Sequence, residues 1–440
     1  MEIIEEVSKL VKPSTPTPST LCNYNISFFD EKPRDMNVPL ILYYTTSHEE
    51  EKDIQTNIFN HLEISLSKTL TDFYPLAGRY TRHASFIDCR DQGALYVQAK
   101  AKFHLSEFLG LEQKLKLDMQ QDFLPYEVNK AGETGDPLLS VKVTSFECGG
   151  VAIGMCISHR FADMATFCTF IDNWATRSRE IRNELELELE KYSRVSSSAH
   201  LFPKTTDVLI NDHIVVRSHG VSNCVLRVFS FKGTAITKLR EKIMSDEDNT
   251  TRHRPSKVQL IVALLWKAFM DIDRRNGQSK ASFVSQAVNL RNIVVLDNFF
   301  GNFITLANAR VELSEVINLQ VLLKLLHDSI HKIKSNHAKA LSHFEKDYEV
   351  LSKPYSEVYE SISNNVNSYL FTSWCKFSFY TADFGCGKPV WRSTTNTKRP
   401  NTVMMMDDEE GNGVEAWVQL EDKQMCELEQ DPNIQAYMDV

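Results

Sequence analysis

No apolar run in this sequence reaches the ~18 residues that a membrane span needs. The best candidate, "VQLIVALLWKAFM", is interrupted by Gln259 and Lys267 and reads as a buried helix. A basic excess is missing too: 49 Lys and Arg against 58 Asp and Glu leave a formal charge of -9. That balance argues against nucleic acid as a partner, because phosphate backbones demand a basic face. Any anionic ligand must then find local positive charge. The nine cysteines lack CxxC spacing and regular pairing, which fits reduced thiols in a cytosolic protein, mostly buried as small hydrophobes, and gives no zinc site. The start, "MEIIEEVSKLVKPSTPTPS", is acidic and has no apolar h-region, so secretion is not expected. The sequons at Asn25 and Asn249 then carry no meaning. A secreted serine or thiol hydrolase is disfavoured as well, since no G-x-S-x-G occurs and no cysteine has a catalytic signature.

What is present describes an ordinary globular chain. Its 440 residues, 42% hydrophobic and 24% charged, suit two or three domains or one large α/β unit. A first strand, "EVSKLVKP", stops at Pro13 and a proline-rich turn follows. Over 54–71, Ile54, Ile58, His61, Leu62, Leu66 and Leu70 recur at helical spacing, until Pro75 and Gly78 end the pattern. "SFIDC" and "ALYVQAK" read as short strands. "PLLSVKVTSF" and "VAIGMCIS" form a predicted hairpin around "ECGG", and the next segment has a helical face of Phe167, Phe170, Ile171 and Trp174. Residues 183–225 change character, with a charged then serine-rich stretch that reads as a solvated crossover between an N-terminal domain (1–182) and a C-terminal domain (226–440). The second half opens on "VLRVFSF", passes through a basic loop into a helix capped by Ser256, and continues with "SFVSQAVNLR" and a helix-rich region at 314–352. "KFSFYTADFGCGKPVW", "TVMMMD" and "GVEAWVQL" read as late strands before a short acidic helix.

One spacing bears on chemistry, His159-x-x-x-Asp163 in "SHRFADMATF". By itself it means little. With 13 histidines, and aspartate at roughly 6% of residues, nearly one such spacing arises by chance. A second is present, His343 to Asp347, where an i, i+4 pair on an exposed helix face is the expected reading. His159 differs in lying just past a buried strand and before a helix, where a base can reach a cleft. For a lone histidine, a core residue satisfied by backbone is the simpler reading, and only other residues change that balance. "DFGCGKP", Asp383 to Pro389, has two glycines that allow a sharp turn, with a plain hairpin turn as the simple alternative.

The ordered set "YPLAGR", "FECGGVAIGMCISHRFAD", "NLR" and "DFGCGKP", spread along essentially the whole chain, resembles the plant BAHD acyltransferases, which move acyl groups from acyl-CoA to alcohols or amines. "FTSWCKFSFY", "QAVNLR" and "GVEAWVQL" look closest to the branch of vinorine synthase-like alkaloid acetyltransferases and acylsugar acyltransferases. The resemblance implies an α/β fold of two chloramphenicol acetyltransferase-like domains with mixed sheets and a channel between them. It implies an acyl-CoA-dependent O-acyltransferase that holds donor and acceptor in a ternary complex, with His159 as general base. Asp163 would be structural and orienting, paired with an arginine for which Arg291 of "NLR" is the candidate. Asp383, Gly385 and Gly387 match the family's DFGWG element, a structural motif remote from the chemistry. Here Cys386 replaces the usual tryptophan, and a thiol cannot replace the area of an indole.

The donor carries phosphates, and Arg252, Arg254, Ser256 and Lys257 lie together at a predicted helix N-terminus, where amide N–H groups and the dipole favour anions. A mobile basic loop is the simple alternative. The implied picture is a cytoplasmic monomer with no metal and no permanently bound cofactor, acyl-CoA serving as co-substrate. A hydroxyl of an alkaloid alcohol or sugar ester would be the acceptor. An N-acyltransferase, or a non-catalytic ligand-binding protein retaining the fold, is the alternative.

Overall fold

The computed structural model describes residues 1–30, 36–45, 51–81, 86–126, 135–182, 194–204, 223–245, 254–277, 281–294, 299–312, 317–342, 347–364 and 366–438, with side chains in the first helix described from residue 58. In chain order come β1 (Ile3–Val11), β2 (Asn23–Asn25), β3 (Asn37–Tyr44), α1 (Glu51–Asp72), β4 (Arg79–Thr81), β5 (Phe86–Asp88) and β6 (Ala94–Ala101). Then follow α2 (Leu105–Leu109), α3 (Gln113–Met119), β7 (Leu139–Phe146), β8 (Val151–Ser158), α4 (Met164–Arg182) and β9 (Ser196–Ser197). The second half holds β10 (Cys224–Phe231), α5 (Gly233–Ser245), α6 (Lys257–Arg275), β11 (Ala281–Asn289), β12 (Phe299–Phe300), β13 (Ile304–Glu312), α7 (Leu319–Ser342) and α8 (Tyr348–Ser363). It ends with β14 (Asn367–Ser373), β15 (Trp391–Ser393), β16 (Thr402–Asp407), β17 (Val414–Glu421), α9 (Asp422–Glu429) and α10 (Pro432–Gln435).

The chain divides into two compact units. The first contains Met1–Val215, Leu296–Asn302 and Phe377–Thr397; the second contains Val216–Val295, Phe303–Lys376 and Lys398–Val440. Among the described residues the first is built on a six-stranded mixed sheet in the order β1-β6-β7-β8-β3-β15. Only β6 and β7 run parallel there. β7 and β8 are buried along their whole length, as strands covered on both faces must be, and their apolar runs satisfy that demand. Gly154, midway along β8, is required by a close approach: a Cβ there would collide with the carbonyl oxygen of Phe123. The second unit carries a mixed sheet in the order β10-β17-β16-β14-β11-β13. Against it lies α6, apolar nearly all round, with Leu260, Ile261, Leu265, Trp266 and Phe269 in one core with Phe371, Val403 and Val418.

Several sequence expectations need revision. Two short segments from the second half of the chain belong with the first unit, so the C-terminal domain is not the contiguous 226–440 and does not hold the "DFGCGKP" element. Backbone pairing is the cause: β12 pairs with β9 through Phe299 and Ser196, and β15 pairs with β3 through Trp391 and Tyr43. Most of "KFSFYTADFGCGKPVW" is not a strand. It forms a 3-10 turn at Phe379–Thr381 and a glycine turn, and only Trp391 enters β15. Of the nine thiols only Cys89, Cys156 and Cys168 are fully buried. Asp347 is not inside a helix but caps one, its Oδ1 accepting from Val350 N–H at 3.1 Å at the start of α8; His343 lies outside the described residues. Of the 183–225 crossover, residues 183–193 and 205–222 also lie outside them.

Candidate active site

His159 leaves the end of β8 and opens a one-turn connection to α4. Its backbone N–H continues the ladder by donating to Met36 O at 2.9 Å. The turn closes on Ser158 O, which accepts from Phe161 N–H at 3.1 Å and Ala162 N–H at 3.2 Å. The His159 ring is half-buried, and its Nδ1 lies 3.1 Å from Ala162 O. A carbonyl oxygen can only accept, so Nδ1 carries the proton and Nε2 carries the lone pair of the neutral ring. That is the tautomer a general base needs, fixed by the backbone next to it.

Asp163 does something different. It is 2% exposed, and its Oδ1 accepts from Thr166 N–H at 3.0 Å while its carbonyl takes the first helical bond, from Phe167 N–H at 2.9 Å. It is the N-cap of α4. Capping fixes where the helix starts and thus how the His159 turn must close. The i, i+4 spacing does not disclose this cap, which only the folded chain shows. Arg291 belongs to the second unit, just past β11, where its N–H and Nη1 donate to Asn289 Oδ1 at 3.0 and 3.4 Å.

The second motif lies at the other end of the same helix. Asp383 Oδ1 accepts from Gly385 N–H at 2.8 Å and Gly387 N–H at 3.0 Å, folding the loop on itself. Gly385 and Gly387 have φ of +96° and +82°, the left-handed region that favours glycine. Ser178 Oγ donates to Phe384 O at 2.7 Å, Arg179 Nη1 donates to Asp383 O at 3.1 Å, and Arg182 Nη1 donates to Gly385 O. Phe384 is buried edge-on to Trp174, with ring centroids 4.8 Å apart. From Asp163 to Ser178 the helix rises about 22 Å at 1.5 Å per residue, so α4 separates the two motifs while joining them mechanically. Trp174 in turn donates to Ser65 Oγ at 3.0 Å, and Arg177 pairs with Asp72, which seats α4 on α1. Cys386 is half-buried in the glycine turn.

The basic loop is only partly as expected. Arg252 lies outside the described residues. Ser256 caps α6: its Oγ accepts from Gln259 N–H at 3.2 Å, and Gln259 Oε1 accepts from Ser256 N–H at 3.0 Å. Lys257 Nζ reaches Asp407 Oδ1 at 2.7 Å and donates to Gly411 O and Gly413 O at 2.6 and 3.0 Å. Lys257 thereby ties the start of α6 to the end of β16 and the turn that follows it. Arg254 is exposed. Beside it stands Arg240, which no pattern in the sequence singles out, because nothing in the periodicity of α5 signals what its arginine faces. Arg240 Nε donates to Pro255 O at 3.3 Å, and its pKa is lowered, first by partial burial and then by repulsion from Arg254. Two cations held against one another at the start of α6 favour an anion. Among the described residues no three histidine, cysteine or acidic side chains are grouped to hold a metal, and no helix is long and apolar enough to cross a membrane.

Known proteins match this chain along nearly its full length. The family described as "Transferase family" matches residues 1–435. Stemmadenine O-acetyltransferase of Catharanthus roseus is 32% identical over 98% of this chain and 96% of its own length. Vinorine synthase of Rauvolfia serpentina is 34% identical over 97% of this chain and 96% of its own. The crystal structure of vinorine synthase superimposes with a TM-score of 0.79, covering 100% of this chain and 99% of that one at 31% identity. At 18% identity, TRI101 of F. sporotrichioides, crystallised with coenzyme A and T-2, shares the fold with a TM-score of 0.72 over 94% of this chain and 99% of its own. The family match over residues 1–435 and the full-length likeness to O-acetyltransferases lead to one conclusion: the chain belongs to the Transferase family, the BAHD acyltransferases, and is an acyl-CoA-dependent O-acyltransferase.

Proposed function

We propose that the protein moves an acetyl or other short acyl group from acyl-CoA to a hydroxyl of a plant specialised metabolite, an alkaloid alcohol or a sugar ester, within a ternary complex. The observation that carries this reading is the His159 tautomer. With Nδ1–H donating to Ala162 O, Nε2 takes the hydroxyl proton as the acceptor oxygen attacks the thioester carbonyl. The C–S bond then breaks, and the CoA thiolate leaves with the proton returned by the imidazolium. No bond to the enzyme forms. Binding energy serves mainly to hold hydroxyl and thioester in attack geometry.

Asp163 acts on this chemistry by setting the start of α4, and Asp383 with its two glycines by holding the other end. Arg254 and Arg240 are the proposed contacts for donor phosphates, with Ser256 shaping the helix start beneath them and Lys257 bracing it. Acyl-CoA enters as co-substrate, and the protein works as a cytoplasmic monomer. Of the two plant relatives named above, stemmadenine O-acetyltransferase is named for this type of reaction and supports the reading.

The test is release of free CoA thiol from acetyl-CoA and short branched acyl-CoAs, against a panel of alkaloid alcohols and sucrose esters. Turnover with one acceptor class, reduced by about 10²–10⁴-fold in His159→Ala, is the expected result for loss of a general base. Turnover that survives His159→Ala at the wild-type rate refutes the base assignment. Acyl-CoA binding without turnover on any acceptor favours a ligand-binding protein.

A further inference from the structure

We infer that Asn302, oriented by the buried carboxylate of Asp30, is the positioning residue that holds the His159 turn in place. Asn302 follows β12 and is fully buried; Asp30 is 3% exposed. The amide Nδ2 of Asn302 faces three oxygens: His159 O at 3.1 Å, Arg160 O at 3.0 Å and Asp30 Oδ1 at 3.0 Å. All three are acceptors, so the nitrogen rather than the oxygen of the amide must point at them. The orientation is further secured by the Asn302 backbone N–H, which donates to the same Asp30 Oδ1 at 2.8 Å. On its other oxygen Asp30 accepts from Ser27 N–H at 3.0 Å and Ser27 Oγ at 2.7 Å. Four donors thus satisfy a carboxylate that burial would otherwise make costly.

The neighbouring residues show that this segment is built around the His159 turn. Gly301 has φ of +134°, and a Cβ there would stand 3.3 Å from both Asp30 oxygens and 3.1 Å from the Phe299 ring. Its carbonyl accepts from Thr166 Oγ1 at 2.7 Å, in the first turn of α4. Tyr24 OH donates to Phe300 O at 2.6 Å and anchors the segment from behind. Two consecutive residues, Gly301 and Asn302, therefore grip both the carbonyls of residues 159 and 160 and the helix start that Asp163 caps. The His159 Nδ1 bond to Ala162 O depends on the path of that turn. Asn302 touches no reacting atom, so its effect is on where Nε2 points.

This inference rests on His159 as general base, and its test separates the two. Full-length Asn302→Ala, Asn302→Asp and Asp30→Asn are compared with wild type by thermal melting and by initial rates with acetyl-CoA. In parallel, carbethoxylation of each histidine by diethyl pyrocarbonate is followed by peptide mass spectrometry, which needs no acceptor. The expected result is a kcat lower by about 10²-fold, the scale of a small misplacement of a catalytic group, with KM for acetyl-CoA unchanged. The His159 carbethoxylation rate moves several-fold, while the exposed His104 and His331 react as before. Asn302→Asp is the worst of the three, because it sets a negative oxygen against three acceptors. If the alanine and aspartate variants do not fold, Asp30→Asn, which keeps the shape, carries the comparison. The inference is overturned if folded variants show an unchanged His159 rate, or if all histidines become reactive together in step with a falling melting temperature. Should His159→Ala keep full transfer activity, the base assignment fails, yet the His159 modification rates still decide whether Asn302 positions the turn.

Discussion

Replacing Asp163 separates its cap from its charge. Asp163→Ala removes the oxygen that accepts from Thr166 N–H at 3.0 Å at a site only 2% exposed. Loss of an N-cap costs about 1 kcal/mol, and a buried N–H left without an acceptor costs on the order of 1–3 kcal/mol. The two overlap, since both count the same bond, so about 2 kcal/mol is expected. Asp163→Asn keeps an equally good cap and should stay within roughly 0.5 kcal/mol of wild type, the size of an ordinary conservative change. Urea unfolding followed by tryptophan fluorescence measures both, with Trp174 on α4 itself as one of the reporters. CoA release should follow the same order, since the cap sets the His159 turn. If Asp163→Asn is as unstable as Asp163→Ala, the carboxylate charge rather than the cap is what matters, and an ion pair governs the residue.

Two further expectations concern the scaffold. His337 in α7 is fully buried against Thr305 Oγ1 at 2.9 Å, and burial lowers its pKa from 6.5 to about 4. The unfolded chain binds this proton more readily, so the stabilisation is full above pH 6.5 and is lost as pH falls toward 4; at 1.36 kcal/mol per pKa unit it comes to about 3 kcal/mol. His337→Gln should flatten the pH dependence of unfolding in that window, and an unchanged slope would falsify the assignment. In the Asp383 turn, Gly385→Ala combines positive φ with a Cβ 2.8 Å from Arg182 Cδ, whereas Gly387→Ala meets nothing within 4 Å. Melting temperatures should therefore drop further for Gly385→Ala, by about 2–3 kcal/mol equivalent against roughly 1 for Gly387→Ala; equal losses would mean that the contact with α4 contributes nothing.

Local pattern alone determined much of this protein. The paired strands around "ECGG", the buried helix over 257–275 and its Ser256 cap were legible because burial on two faces, helical period and capping chemistry are properties of adjacent residues. The order of four motifs pointed to the family, although the His-x-x-x-Asp spacing did not. Both copies of that spacing end in an aspartate that caps a helix, Asp163 on α4 and Asp347 on α8. What sets them apart lies outside the spacing. The turn before Asp163 is held by Asn302 and Asp30, residues far away in the chain whose hydrogen-bonding groups meet only after folding. The assignment of Phe377–Thr397 to the first unit and the capture of Lys257 by the β16–β17 turn have the same origin. Each depends on backbone pairing or side-chain contact between distant segments, which no window of sequence contains; the local signals fixed the elements, and long-range contacts decided which residues hold the His159 turn.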